Sequence, residues 1–234
     1  ARTVSIPFNP SNFSHPLTID NPLLPLPVGQ ELVYRADVDG GCEENHVTVT
    51  NRTKHVAAGV TVRLVHDVVY SDTACGPNMP VTEDTLDYYA QDDDGNVWYL
   101  GEDTTEYENG KVKTKEGSWE AGVDGALGGV IIPAHPSRGL TYREEYYKGH
   151  AEDGAEILSL HAHAKVPYGT YDDLLQTRNF SAIEPDVTSS KPAIMRKVEV
   201  LPQPEEPSSA TISPCFTVMS SARTACTSGL PRLR

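Results

Sequence analysis

Residues 88–147 constrain the fold more than any other stretch, because aromatic-rich runs alternate there with acidic, Gly-marked turns and no segment has a helical period. Tyr88-Tyr89-Ala90-Gln91, then Asp92-Asp93-Asp94-Gly95-Asn96, then Val97-Trp98-Tyr99-Leu100 reads as strand, turn, strand. Asp and Gly tolerate the positive φ that a tight turn demands, so Asp-Gly between two β-prone runs marks a hairpin. Asn109-Gly110 separates residues 105–107 from 111–114 in the same way. Period-two alternation recurs elsewhere. Leu32, Tyr34, Ala36 and Val38 share one face, and residues 46–50 form a second strand. Val60, Val62, Leu64, His66, Val68 and Tyr70 share a face of the third, with Thr61, Arg63 and Asp67 opposite. Residues 140–148 and 155–166 read as two long strands, and 171–177 with 195–201 as a last pair. The pattern predicts an all-β chain, an antiparallel meander closing into a barrel or a sandwich.

Composition shifts divide the chain. Residues 1–30 carry closely spaced prolines, as in Pro22-Leu23-Leu24-Pro25-Leu26-Pro27, which disfavour helix and central strand and predict an extended arm packed on the domain. Residues 31–201 form the β domain. Residues 202–234, dense in Ser, Thr and Pro, predict an irregular tail. Inside the domain, the Gly-rich residues 117–139 predict a long connection of the kind that serves as a binding loop or lid.

With 33 acidic against 19 basic residues and a net charge of -14, the chain is a poor partner for nucleic acid or an anionic membrane. A cation or a cationic ligand suits that field. No apolar run reaches the ~20 residues of a spanning helix. The chain opens at Ala1 with no charged-then-apolar leader, as expected of an exported protein whose signal peptide has been removed. Four cysteines without a CxxC disfavour a zinc ribbon or a thioredoxin-type site. They allow three pairings, of which the local Cys42–Cys75 and Cys215–Cys226 are favoured. Sequons stand at Asn12, Asn51 and Asn179. Together these features predict a secreted, disulfide-bonded glycoprotein.

Three clusters are candidates for chemistry. Asp92, Asp94 and Asn96, with Glu102 and Asp103 beyond them, offer oxygens suited to calcium. The spacing begins like an EF-hand, but Val97 stands where that loop needs Gly and no helices flank it, so only a looser site fits. His161 and His163 lie on one side of a strand, where a third ligand from His150, Glu145 or His66 would complete a transition-metal site. Glu144 and Glu145 stand among Tyr142, Tyr146 and Tyr147, with Glu152 and Asp153 nearby, in the manner of a glycosidase cleft. On one continuous strand, however, adjacent carboxylates face opposite sides and cannot work as a pair. No Gly-x-Ser-x-Gly and no phosphate loop is present.

The run Ala90-Gln91-Asp92-Asp93-Asp94-Gly95-Asn96-Val97-Trp98-Tyr99-Leu100-Gly101-Glu102 resembles a signature of a family of secreted bacterial β-rich proteins without an established activity. Gly117-Ser118-Trp119-Glu120-Ala121-Gly122-Val123-Asp124-Gly125-Ala126 and Tyr142-Arg143-Glu144-Glu145-Tyr146-Tyr147 resemble blocks of the same family. The likeness spans residues 20–190 and implies fold and export, with no reaction attached. Past Asp186 the family continues in a strand rich in Tyr and Gly, whereas this chain has Lys191-Pro192-Ala193-Ile194 and the tail.

The leading expectation is a secreted, non-enzymatic protein that binds a small ligand, a glycan or a cation. A metal-dependent enzyme built on His161 and His163 is the alternative. A third reading is an extracellular subunit that self-associates through edge strands or the arm.

Overall fold

The computed structural model describes residues 6–38, 40–166 and 169–181, with the backbone of 193–196. The pairing of residues 215 and 226, the outer part of the last strand and the tail lie outside the described residues.

Among the described residues, thirteen strands follow a 3-10 turn at Pro10–Asn12: β1 (Glu31–Val38), β2 (Gly41–His55), β3 (Thr61–Asp72), β4 (Val81–Gln91), β5 (Val97–Glu108), β6 (Lys111–Thr114), β7 (Trp119–Glu120), β8 (Leu127–Ile132), β9 (Thr141–Arg143), β10 (Glu145–Tyr146), β11 (Asp153–Val166), β12 (Gly169–Ser181) and β13 (Ala193–Arg196). Every ladder between them is antiparallel. The first sheet runs β1-β2-β3-β4-β5-β8-β10, with β6 and β7 also paired to β5, and curls into a half-barrel. The second runs β13-β12-β11-β9.

Both turns expected from the sequence form. Gly95 takes φ +94° and donates its amide to Asp92 O across 3.0 Å, while Asn109 and Gly110 both take positive φ between β5 and β6.

Two expectations for the middle of the chain do not hold. Residues 117–139 are not one irregular connection. Val130, Ile131 and Ile132 are buried in β8, which pairs with β5. Its glycines serve close packing: a Cβ on Gly129 would lie 2.3 Å from the Glu144 carbonyl group. Residues 140–148 are not one strand either. The chain breaks at Glu144, so β9 joins the second sheet beside β11 while β10 joins the first beside β8.

Residues 6–30 pack against the first sheet, held by the acidic hairpin tip. Phe8 and Phe13 pack on Trp98 with ring centroids 5.2 and 6.1 Å away. Asp93 N donates to Asn12 O, Asn12 Nδ2 donates to Asp94 Oδ2, and Ser14 N donates to Asp93 Oδ1, at 2.8, 2.9 and 2.9 Å. The amides of Asp20 and Asn21 both donate to Gln91 Oε1.

Cys42 and Cys75 form a disulfide that ties the start of β2 to the loop before β4, across 33 residues. Closing a loop of that length removes unfolded-state entropy worth about 4 kcal/mol. A Cys42→Ala/Cys75→Ala variant should therefore lose about that much stability in urea titrations, with its fold retained by circular dichroism.

Candidate functional site

The inside of the curl is built by register. Leu32, Tyr34 and Ala36 of β1 are buried, alternating with exposed Glu31 and Val33, so they mark the inner face. Cross-strand partners share a face. Leu32 stands opposite Val47, Val47 opposite Asp67, and Asp67 opposite Thr85. Val65 stands opposite Asp87, Asp87 opposite Glu102, and Glu102 opposite Trp119. Arg63 pairs with Tyr89 and Tyr89 with Tyr99. A bulge at Gly101, where φ is +138°, lets both Tyr99 and Glu102 turn inward although three positions separate them. Both faces of β3 are buried, with Val62 and Leu64 in the hydrophobic core on one of them. The face read as polar, Arg63 and Asp67 with Val65, turns into the curl.

That inner face is rich in acid. Asp67, Asp87 and Glu102 are at least 97 % buried. Glu145 and Asp153, also buried, stand against each other at the start of β11. Glu144 is buried beside them, because the break between β9 and β10 removes the strict alternation that would have pointed it away. The expectation that Glu144 and Glu145 face opposite sides fails for this reason.

None of Asp67, Asp87, Glu102, Glu144 and Glu145 pairs with Lys, Arg or His among the described residues. Two of them accept from aromatic side chains. Tyr99 Oη donates to Asp87 Oδ1 at 2.7 Å, and Trp119 Nε1 donates to Glu145 Oε2 at 3.1 Å. Asp87 Oδ2, Glu102 Oε2 and Glu144 Oε2 are buried with no hydrogen bond. Three rings line the same face. Tyr89 and Tyr99 lie 5.1 Å apart, and Trp119 meets Tyr99 edge-on at 5.6 Å.

Burial without a counter-charge favours the protonated acid. Desolvation raises Asp87 to about 7 against the pull of the Tyr99 hydroxyl, with the Glu83 charge adding to the rise. It raises Glu145 to about 8, with the charge of Asp153 acting in the same sense and the Trp119 bond against it. Asp67, Glu102 and Glu144 are pushed well above their ordinary values, first by burial and then by neighbouring carboxylates. Burial and the mutual repulsion of these carboxyls both favour their protonated forms.

Of the residues singled out in the sequence, Glu102, Glu144, Glu145 and Asp153 belong to this face, and the calcium and histidine candidates lie elsewhere. Asp92 is buried and its carboxylate is fully engaged. Its Oδ1 accepts from the amides of Asp94 and Asn96, and its Oδ2 from Asn96 Nδ2 and Trp98 Nε1, at 2.7 to 3.1 Å. Asn96 Oδ1 accepts from Ala134 N. A calcium ion at Asp92, Asp94 and Asn96 would have to displace these bonds, which shape the turn.

His161 and His163 are exposed on β11, and the candidate third ligands are not beside them. His150 stacks on Tyr147 before β11, roughly 26 Å away at 3.3 Å per residue from Asp153 to His161. His66 is paired with Asp84 on β3, and Glu145 is inside the curl. Among the described residues no three His, Cys, Asp or Glu side chains come together as a ready set of metal ligands. Of the sequons, Asn51 is exposed, and Asn12 and Asn179 are half-buried.

Compared with protein families, with curated proteins and with solved structures, the chain matches none. The site's own chemistry therefore carries the functional argument.

The acid face as a whole is not legible in the sequence because its members are scattered over β3, β4, β5, β10 and β11. The available signal is position: Asp67 and Asp87 sit mid-strand beside Val68 and Tyr88, where solvated carboxylates are rare.

Proposed function

We propose that this is an extracellular binding protein, without catalytic turnover, whose inner face takes a small organic cation carrying an ammonium or guanidinium group. The observation that supports it most directly is the meeting of five buried carboxyls that lack a basic partner with the rings of Tyr89, Tyr99 and Trp119. A bound cation offsets the cost of ionising the acids, and aromatic faces attract the same charge through their quadrupoles. An exported location agrees with the Cys42–Cys75 disulfide, since such bonds persist in oxidising surroundings. Among the described residues no helix is long and apolar enough to cross a membrane.

The test is calorimetric titration of the full chain at pH 8 with butylammonium, butylguanidinium and tetramethylammonium, using butanol as the neutral control. At least one cation should bind saturably and release protons, with the heat changing between buffers of different ionisation enthalpy. Glu102→Gln should weaken that binding at least tenfold. If no cation binds below 10 mM, or butanol binds equally well, the reading is wrong.

A further inference from the structure

The hairpin of β11 and β12 carries an arrangement that the acid face does not use. His161 and His163 flank Ala162, which stands opposite the buried Leu174, so both imidazoles leave the strand on its outer side. On β12 the register slips: the two-residue step from Ala162 to Ala164 faces the three-residue step from Leu174 to Tyr171. The extra residue forms a β-bulge, and Asp173 takes φ +56°, a conformation uncommon for a residue other than Gly. The bulge brings two consecutive carboxylates to one side of the ladder. His161 Nδ1 lies 3.1 Å from Asp173 Oδ1, and His163 Nδ1 lies 2.6 Å from Asp172 Oδ1.

A carboxylate oxygen only accepts, so each Nδ1 carries the proton in these pairs. In the neutral imidazole the lone pair is then on Nε2. Both side chains are well exposed, 80 % and 60 %, which leaves the two Nε2 atoms open to solvent. A carboxylate that fixes the tautomer and orientation of an imidazole, leaving its other nitrogen bare, is the usual outer support of a metal-bound histidine. Alternate residues on a strand are roughly 6.6 Å apart. Two nitrogens on one tetrahedral metal ion stand about 3.3 Å apart, so a small inward tilt of each ring suffices.

We propose that this hairpin is a surface site for a divalent transition-metal ion, bound by Nε2 of His161 and His163, with Asp173 and Asp172 as positioning residues and water completing the coordination. The site is independent of the inner acid face. Hard cations such as calcium are not its ligands, because imidazole suits copper, nickel and zinc.

The test is titration of the folded full chain with Cu(II), Ni(II) and Zn(II) in a weakly coordinating buffer at pH 7.5. One ion should bind per chain, with nickel tighter than zinc and copper tightest. His161→Ala and His163→Ala should each weaken nickel binding at least tenfold. Asp172→Asn/Asp173→Asn should weaken it about tenfold with both histidines still present. His150→Ala should leave it unchanged, and all variants should keep the parent's circular dichroism. Failure to bind nickel below 1 mM, or binding that survives both histidine substitutions, would overturn the site. A carboxylate double variant that binds like the parent would remove the positioning role.

Discussion

The melting temperature of this protein should fall by about 15 °C between pH 5 and pH 9, with most of the fall between pH 5 and pH 7.5. The cause is the inner acid face. Asp87 titrates at about 7 in the folded chain against an ordinary 3.8, and Glu145 at about 8 against 4.5. A carboxyl whose folded pKa is raised holds its proton more tightly when native than when unfolded. Its stabilising contribution is complete below the unfolded value, near pH 4, and is lost as pH rises through the folded value. A tenfold change in proton affinity corresponds to about 1.36 kcal/mol, so either group alone carries roughly 4 kcal/mol across its window. The two share neighbours and their contributions overlap. At about 2–4 °C per kcal/mol for a chain of this size, a net loss near 5 kcal/mol gives the stated fall. Asp67, Glu102 and Glu144 titrate in the same direction and steepen it. Asp87→Asn/Glu145→Gln keeps an acceptor for Tyr99 and for Trp119 while removing both ionisations, and should flatten the profile by more than half. Differential scanning fluorimetry across this range decides the matter, and a melting temperature that rises with pH would contradict the account.

The second large effect is at Trp98. Its ring is 98 % buried beneath Phe8 and Phe13, and its Nε1 donates to Asp92 at 2.7 Å. Trp98→Ala removes the surface on which the arm is seated and should cost about 4 kcal/mol. The damage should be local as well as global. Limited subtilisin digestion, read by mass spectrometry, should cut residues 6–30 well before the sheet. Trp98→Phe retains most of the packing and loses the indole donor. Asp92 Oδ2 still accepts from Asn96 Nδ2, so this variant should lose only about 1–2 kcal/mol and keep the arm protected. Equal protease sensitivity in the two variants would mean that packing on Trp98 is not what seats the arm.

Much of the fold is visible in the chain because turns and alternation are local properties. Asp94-Gly95 and Asn109-Gly110 carry their conformational demand in their own side chains, and both turns form where that demand places them. What is hidden depends on contacts between distant strands. The glycines around Val130 look like loop, yet they are what allows β8 to lie close to β5 and to the Glu144 backbone. The break at Glu144 has no Gly or Pro to announce it, and the two halves of the segment 140–148 are claimed by different sheets. The acid face is hidden for a related reason. The rule that strands turn apolar residues inward assigns the valines of β3 to the core, whereas the curl also encloses Asp67 and Asp87. At the Asp92 turn the residue types were suggestive, but the four donors supplied by Asp94, Asn96 and Trp98 give that carboxylate a structural task.

The passage of the chain from β9 to β10 has a consequence for how the molecule comes apart. Six residues, 141–146, supply one strand to each sheet with a single residue between them. Glu144 N also donates to Asp153 O at 2.9 Å, which anchors this joint to the start of β11. Loss of the β9–β11 ladder therefore drags on β10, and loss of the β8–β10 ladder drags on β9. The two sheets should therefore share one fate on heating, and the calorimetric and van't Hoff enthalpies of unfolding should agree, as they do for a single cooperative unit.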